Sequence, residues 1–371
     1  VIFFSLIFAM SQNTYKSMRE IDKYSFGIGD RFSHQGRAQL AALVLASTEL
    51  NINITPVWNK SNREHNIVHS VPADTRAEAD DAVKALNYTG PYFVDADHIN
   101  LTTVDRYIEH CDFFTLDVAD YIGTAATDTD IRSFMDSHRS YCGDLKIPGV
   151  TEAVTITEKY LRDFASKFLL ALKEAAALYS YIASRKGEGN FITEVSMDEV
   201  DEPQKPIDLL FILKVLADMK VPVQTVAPKY TGRFNKGVDY EGDPIRFAQD
   251  FEEDILVIKY AVRQFGLPKN LKLSVHSGSD KFSIYHVMGD LIRKHDCGLH
   301  LKTAGTTWLE EVIGLSLAGG NGLDMAKKIY RIAYFRREEL CGPYTTVIDI
   351  KPGMLPHPDM VDRWDTLKFS G

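Results

Sequence analysis

The sequence predicts a (β/α)8 barrel, in which eight parallel strands alternate with helices along the chain. From Tyr24 onward, short β-rich runs alternate with longer amphipathic stretches, and eight such pairs can be counted. Each short run ends in polar residues, which favours a barrel because its chemistry comes from the C-terminal ends of several strands at once. An open doubly wound sheet is the alternative, but it would concentrate its polar residues at one switch point.

The eight runs predicted as strands are short and lead directly into polar stretches. They are YSFGIG (24–29), NINITPVW (51–58), PYFVDADHI (91–99), DFFTLDVADY (112–121), NFITEVSMDE (190–199), VPVQTVAPKY (221–230), LKLSVHSGSDKFS (271–283) and GLHLKTAGTTW (298–308). The stretches between them have apolar residues at spacings of three and four, which is typical of helices.

Two further segments interrupt or follow this alternation. Residues 120–185 are α-rich and are predicted as a helical insertion or an elongated helical unit. Residues 321–371 are predicted as an appended helix and an edge segment, whose prolines mark a wrap-around tail rather than another strand. We therefore expect a single barrel domain over residues 21–371.

The composition argues against several classes of function. The 371 residues carry a formal net charge of −9 and contain no Lys/Arg-rich run, which argues against nucleic acid as a partner. The four cysteines are far apart and form no Cys-x-x-Cys pair, so we expect reduced thiols in a cytoplasmic protein. The run GIGDRF lacks the third glycine of a dinucleotide fingerprint, and no serine-hydrolase or zincin motif is present.

The first ten residues, VIFFSLIFAM, form an apolar run that is too short to span a bilayer. The run lacks the basic region and the cleavage site of a signal peptide. We expect residues 1–20 to be disordered, or to be a translated upstream segment with Met10 or Met18 as the true start; a weak signal peptide is the alternative. No membrane partner is expected, and a homo-oligomer is left open.

Three histidines at predicted strand ends, His98, His276 and His300, are the candidate metal ligands. A catalytic metal needs about three protein ligands and an open position, and imidazole ligation suits zinc, with manganese, cobalt or nickel as substitutes. Glu194, Asp239 and Asp243 are reserve ligands. The alternative for each histidine is a hydrogen-bonded wall residue, and Asp243 before Pro244 would equally cap a helix.

Asp97 and Glu194 are the candidate acid–base carboxylates. Asp97 lies beside His98, and because neighbouring strand residues point to opposite sides, the two can share a site only where the strand gives way to a loop. Glu194 lies in an otherwise apolar run, where a carboxylate is costly to bury unless it is paired. The alternatives are that Asp97 caps a helix and that Glu194 forms a structural ion pair with Lys229 or Lys302.

Taken together, six sequence blocks resemble the tagaturonate epimerase family over most of Tyr24 to Glu311. They are SFGIGDRF, DADHI, EVSMDE, APKYTGRFNKGVDYEGD, SVHSGSDKFSIY and HLKTAGTTWLEE. Members of that family interconvert tagaturonate and fructuronate in bacterial hexuronate catabolism, and they typically depend on a divalent metal. The resemblance implies a small ketose acid as substrate, contacted by a mainly basic set of side chains at the barrel rim: Lys229, Arg233, Asp239, Lys281 and Lys302.

The resemblance also limits the mechanism, because the inverted centre of such a substrate is β to the ketone and α-proton removal cannot invert it. Retro-aldol cleavage and re-addition is one route, with the metal holding the ketone; movement of a carbonyl or hydride along the chain is the other. The absence of a nicotinamide fingerprint favours the first route, with Asp97 and Glu194 as acid and base in either order. The alternatives are a metal-dependent aldolase or sugar isomerase on the same barrel, and a non-catalytic sugar-acid binding protein.

Overall fold

Eight parallel strands close into a barrel in the computed structural model, which describes residues 18–150, 154–198, 200, 202–235, 237–302, 307–342, 348 and 350–371. Each strand pairs with the next barrel strand along the chain, and the last pairs with the first, so every connection is a crossover between neighbours. The predicted (β/α)8 barrel is confirmed, and the doubly wound alternative is wrong because the sheet has no open edge.

The eight barrel strands overlap the eight predicted runs. Seven of them are shorter than their runs, whereas the second ends at Ser61, three residues beyond its run. The barrel strands are β1 (Tyr24–Ile28), β2 (Ile54–Ser61), β3 (Phe93–Ile99), β4 (Phe113–Asp117), β7 (Ile192–Ser196), β8 (Thr225–Ala227), β9 (Lys272–Val275) and β10 (Leu299–Lys302). A separate antiparallel hairpin consists of β5 (Gly143–Leu145) and β6 (Val154–Ile156).

The helices surround the barrel, and several of them begin at a capping side chain, for example those that follow Ser61, Thr127 and Thr157. They are α1 (Gly36–Leu50), α2 (Asn62–Val68), α3 (Pro72–Ala85), α4 (Asp128–His138), α5 (Glu158–Lys186), α6 (Pro206–Asp218), α7 (Pro244–Phe265), α8 (Phe282–Lys294), α9 (Thr307–Leu317), α10 (Gly320–Phe335), α11 (Arg337–Cys341), α12 (Pro358–Val361) and α13 (Thr366–Ser370). Asp243 accepts hydrogen bonds from the backbone N–H groups of Ile245 and Arg246, so it caps α7 and is not a reserve metal ligand. No helix in the described part of the chain is long and apolar enough to cross a membrane.

The segment predicted as a helical insertion contains two helices and the β5–β6 hairpin, which was not predicted. Strands of three residues are too short to show the alternation on which a strand prediction depends. The two helices pack through buried aromatic side chains, including Phe134 of α4 and Phe164 of α5, whose ring centroids are 5.6 Å apart. The apolar stripe of the 29-residue α5 is buried along most of the helix, from Leu161 to Ile182.

The two predicted terminal segments are only partly within the described residues. Residues 1–17 of the expected N-terminal extension lie outside them, whereas Arg19 forms an ion pair with Asp112 at 2.9 Å on the barrel. The described tail contains the helices α10 to α13. Of the predicted edge segment TTVIDIKPGMLPHP (345–358), residues 345–347 and 349 lie outside the described part, and the described remainder contains a single-turn 3₁₀ helix at Pro352–Met354 and no strand.

The barrel interior changes from apolar to polar along the strand direction. Ile21, Val57, Phe93, Phe113 and Ile192 form a small buried cluster that closes the N-terminal end. Burying each of these side chains contributes about 1.5–3 kcal/mol, which offsets the cost of the polar layers that follow. The strand alternation then places polar side chains above this floor, at the C-terminal end of the barrel.

Candidate active site

Lys302, at the end of β10, is the centre of a buried carboxylate cluster. Its side chain is 2% exposed, and its Nζ lies 2.8 Å from Asp95 Oδ2, 2.7 Å from Asp97 Oδ1 and 3.0 Å from Glu194 Oε1. Thr115 Oγ1, 2.7 Å away, completes the set of acceptors. Four strands therefore contribute to one cluster, which is possible because the C-terminal ends of all barrel strands meet at one rim.

A β-bulge at the end of β3 brings Asp97 and His98 to the same side. Ala96 pairs with Phe114 but Ile99 pairs with Leu116, so three steps along β3 oppose two along β4. His98 has φ +50°, a left-handed conformation that is uncommon for residues other than glycine. The extra residue cancels the strand alternation, which is why two adjacent side chains both face the site.

His98, His276 and Asp198 form the one group of potential metal ligands found among the described residues, with one ligand atom of each lying within 4.8 Å of the others. Each imidazole has one nitrogen held by a second carboxylate: His98 Nδ1 lies 3.0 Å from Asp117 Oδ2, and His276 Nε2 lies 2.8 Å from Glu194 Oε1. This arrangement is typical of metal-ligating histidines.

The remaining nitrogen of His276 supports the fit to a cation. Nδ1 lies 3.2 Å from Asp198 Oδ2, yet the two atoms are not aligned as a hydrogen bond, so this buried nitrogen has no hydrogen-bond partner among the described residues. Two imidazoles and a carboxylate thus converge on one position, and three such ligands would leave a fourth position of a zinc ion open, as a catalytic site requires.

The charges in this region are strongly coupled. Burial opposes the charged form of every group, but the carboxylates keep the pKa of Lys302 well above its usual range. Burial also lowers the pKa of His276, but Asp198 and Glu194 outweigh it and raise that pKa to about 9. The pKa of His98 is likewise raised, despite burial, by Asp97 and Asp117. A divalent cation would have to displace the protons that these imidazoles hold.

Asp95 is the exception among the acids. Burial raises its pKa to about 7, against the attraction of Lys302. By contrast, Lys302 holds the pKa of Asp97 and of Glu194 below their usual values, although burial opposes this. Asp97 and Glu194, the two predicted acid–base residues, are therefore ionised at neutral pH, and both contact Lys302.

His300 does not belong to the group of His98 and His276, so the predicted set of three histidines is corrected. His300 is two residues before Lys302 on β10 and lies one layer deeper in the barrel, where Ser25 Oγ is 2.9 Å from its Nδ1. Its ring packs on Phe113 at 5.4 Å, and burial lowers its pKa to about 3. This is the wall position that was the alternative for each histidine.

Two lysines predicted to contact the substrate are engaged inside the protein instead. Lys302 is paired with carboxylates, which was the alternative for Glu194. Lys281 is fully buried, and its Nζ donates to the backbone carbonyls of Asn235 and Val238 at 2.9 and 2.7 Å. An ammonium held in this way fixes a loop, and its burial separates it from a substrate carboxylate.

The other predicted substrate contacts lie in or near the loop after β8. Asp239 accepts hydrogen bonds from the backbone N–H and the hydroxyl of Ser283, so it ties this loop to the start of α8. Arg233 forms an antiparallel bridge with Glu241 across the loop. Lys229 is half-buried directly after β8. Lys229 and Arg233 remain the candidates for an anionic substrate group.

The sequence interpretation assigned no role to four polar residues of the site: Asp95, Thr115, Asp117 and Asp198. Asp198 is in the block EVSMDE, two residues after the end of β7. Its signal was the even spacing from Glu194 through Ser196, which places all three on one face. Asp117 and Thr115 share a face of β4 in the same way.

Comparisons with known proteins agree with this architecture. A sequence profile of the tagaturonate epimerase family matches residues 9–363. The tagaturonate/fructuronate epimerase of Thermotoga maritima is 29% identical over 339 residues, which are 87% of this chain and 65% of that protein. The chain thus spans just under two thirds of the length of this relative.

Solved structures show the same fold. The glycerol complex of fructuronate-tagaturonate epimerase UxaE from Cohnella laeviribosi matches with a TM-score of 0.76 and 22% identity, over 95% of this chain and 72% of that one. The native structure of that enzyme matches with a TM-score of 0.72 and 22% identity, over 95% and 73% of the two chains. Because the family profile matches most of the sequence, the chain belongs to the tagaturonate epimerase family.

Proposed function

We propose that this chain is a divalent-metal-dependent epimerase that interconverts D-tagaturonate and D-fructuronate, or a closely related ketohexuronate. The observation that carries the proposal is the juxtaposition of two elements at one barrel rim: the group His98, His276 and Asp198, and the cluster of acids around Lys302. The first element suits a cation and the second suits proton transfer, and family membership supplies the substrate class.

The charge of the site supports a bound cation. Five carboxylates lie within hydrogen-bond distance of Lys302 or of the two imidazoles; they are Asp95, Asp97, Asp117, Glu194 and Asp198. One ammonium does not balance five carboxylates, and the two imidazoles hold protons that supply further positive charge. A divalent ion held by His98, His276 and Asp198 would take the place of those two protons and supply the same charge at one position.

His98, His276 and Asp198 would hold the metal, with zinc as the first candidate and manganese, cobalt or nickel as substitutes. When bound, such an ion acts as a Lewis acid that polarises a carbonyl group and stabilises the negative charge developing on it. The protein contributes the rigid placement of the ligands on β3, β7 and β9 and the exclusion of bulk water by the strands around Lys302.

We propose retro-aldol chemistry. A carboxylate removes the proton from the hydroxyl β to the ketone, the bond between the α and β carbons breaks, and its electron pair gives an enolate while the β carbon becomes an aldehyde. Rotation of the aldehyde, re-formation of the bond on the other face and return of the proton give the epimer, with no net gain or loss of atoms or electrons.

Asp97 and Glu194 carry these proton transfers, and Lys302 keeps both in place. The side chain of Asp97 is 11% exposed and that of Glu194 is 0% exposed, so we assign the contact with the substrate hydroxyl to Asp97. Lys229 and Arg233, at the opening after β8, are proposed to bind the substrate carboxylate. We also propose that the protein acts in the cytoplasm, where its four free cysteines would stay reduced.

The function is tested by incubating the metal-loaded protein with tagaturonate and following the products by ¹³C NMR. The proposal expects fructuronate at equilibrium with tagaturonate. Lasting accumulation of three-carbon fragments would instead indicate an aldolase, and an aldose product would indicate an isomerase. Binding without any product would leave a sugar-acid binding protein.

The metal requirement is tested separately. A chelator is expected to abolish epimerisation, and added zinc or manganese is expected to restore it, because the ketone then regains its electrophilic partner. Full activity after exhaustive metal removal, with the metal content checked by elemental analysis, would contradict the metal-dependent mechanism.

A further inference from the structure

We infer that Asp117 is a positioning residue for the cation site, which fixes His98 so that its Nε2 faces the cation. The inference rests on the proposed function, because it concerns the metal that His98, His276 and Asp198 are proposed to hold. It goes further in assigning a role to a side chain that is neither a ligand nor in contact with the substrate.

The backbone at His98 explains why this side chain needs a support. The bulge in β3 and the φ of +50° place His98 outside the regular strand, so the barrel sheet does not define its direction. A left-handed conformation at a residue other than glycine costs about 1–3 kcal/mol and persists only where surrounding contacts enforce it. Its ring lies 3.0 Å from Asp117, closer than to Asp97 at 3.8 Å or to the ring of His276, whose centroid is 5.1 Å away.

Asp117 is itself rigidly held at the end of β4. Its Oδ1 accepts a hydrogen bond from the backbone N–H of Ala119 at 3.1 Å, and its Oδ2 lies 3.0 Å from His98 Nδ1. Both oxygens are therefore in use, one for the turn that follows the strand and one for the imidazole. A carboxylate can only accept, so it requires the proton on Nδ1 and leaves Nε2 for a ligand.

The imidazole of His276 is held through Nε2, whereas that of His98 is held through Nδ1. Glu194 occupies Nε2 of His276, so Nδ1 is the nitrogen that lies beside Asp198. The two ring centroids are 5.1 Å apart with the rings at 81° to each other. Two carboxylates on neighbouring strands thus present different nitrogens of two histidines toward one position, and removal of either support would release one ligand.

Substitution of Asp117 by Asn separates this role from a merely structural one. Asp117 uses a different oxygen for each partner, whereas an amide has one oxygen and one NH2 group, so it cannot place an oxygen against both Ala119 N–H and His98 Nδ1–H. If its oxygen keeps the turn, its NH2 group faces Nδ1 and moves the ring proton to Nε2, which blocks the proposed ligand atom. A structural role in the turn alone would be preserved in D117N, whereas the positioning role would be lost.

The experiment measures the zinc dissociation constant of the full chain by competition with a fluorescent chelator, and records the visible spectrum of the cobalt-loaded protein. Wild type, D117N and D117A are compared with E252Q as a matched control. Glu252 accepts from His295 at 2.6 Å on the outer helices, so its removal breaks a carboxylate–histidine pair far from the site. Thermal melting followed by circular dichroism checks that all four proteins are folded.

The expected result is a 10–100-fold weaker zinc affinity in both D117N and D117A, a changed cobalt spectrum, and wild-type affinity in E252Q. Wild-type affinity in D117N would overturn the role of Asp117 and leave the proposed function intact. Folded wild-type protein that binds no zinc, cobalt or manganese would overturn the cation site and, with it, this inference.

Discussion

At the scale of single residues, Lys302 is the counter-ion on which the buried acids of the barrel interior depend. Three carboxylates from two strands surround one ammonium, and each of these side chains is almost fully buried. A buried charge is stable only when it is paired, so the lysine and the acids depend on one another. The cluster that we propose to be catalytic is therefore also part of the structural core.

Substituting Lys302 by Met should destabilise the protein by about 3–5 kcal/mol, because it leaves several buried carboxylates without a counter-ion. The free energy of unfolding in urea measures this effect. The matched control is K159M, which removes the exposed Lys159–Asp163 pair on α5 and should cost less than about 1 kcal/mol. Equal losses in the two variants would contradict the proposed role of Lys302.

The sequence identified much of this site but not its arrangement. Asp97, His98, His276 and Lys302 could be predicted because they lie near the ends of β-rich runs. Glu194 could be predicted because it is a carboxylate in an otherwise apolar run. The position of His98 depends on a bulge and a left-handed residue, which no local pattern in the sequence predicts, since it arises from pairing with β4. The register of the barrel strands likewise places Asp198 beside His98 and His276, and places His300 one layer deeper.

At the scale of elements, the loop between β1 and α1 is held by two carboxyl groups. Asp30 accepts from the backbone N–H groups of Phe32, His34 and Gln35, and Glu78 of α3 accepts from that of Gly36 at 2.8 Å. Burial and the neighbouring Asp30 raise the pKa of Glu78 to about 8.

This pair predicts a pH dependence of stability. Between pH 4.5 and 8 the folded chain keeps a proton on Glu78 that the unfolded chain has lost, so the stabilising contribution of the neutral acid falls as the pH rises through this window. The variant E78Q is neutral at every pH and should lack this slope. The unfolding free energies of wild type and E78Q, measured at pH 5, 6.5 and 8, should converge as the pH rises and then cross in favour of E78Q. Parallel curves for the two proteins would contradict the prediction.

The loop after β8 is held by the buried side chain of Lys281. Its Nζ donates to two backbone carbonyls of that loop, so K281M should leave both without a donor and loosen the segment. Hydrogen–deuterium exchange should increase around Asn235 and Val238, while the barrel strands keep their protection. The exposed Lys269 provides the control K269M, and unchanged exchange in K281M would refute the assignment.

At the scale of the whole molecule, the eight-fold alternation was sufficient to predict the barrel, because the number of strand–helix pairs and the direction of their polar ends constrain the topology. The β5–β6 hairpin was missed because its three-residue strands carry no periodic signal. The barrel explains how residues from 95 to 302 meet: all strands point the same way, so their ends share one rim.

The central claim is that His98, His276 and Asp198 hold a single divalent cation at that rim. The most direct test is an anomalous difference map from a crystal of the zinc-loaded protein, recorded at the zinc absorption edge. The account predicts one strong peak about 2.0–2.2 Å from a nitrogen of each histidine and from an oxygen of Asp198. A peak bound instead through His300, or no peak at the rim, would contradict it.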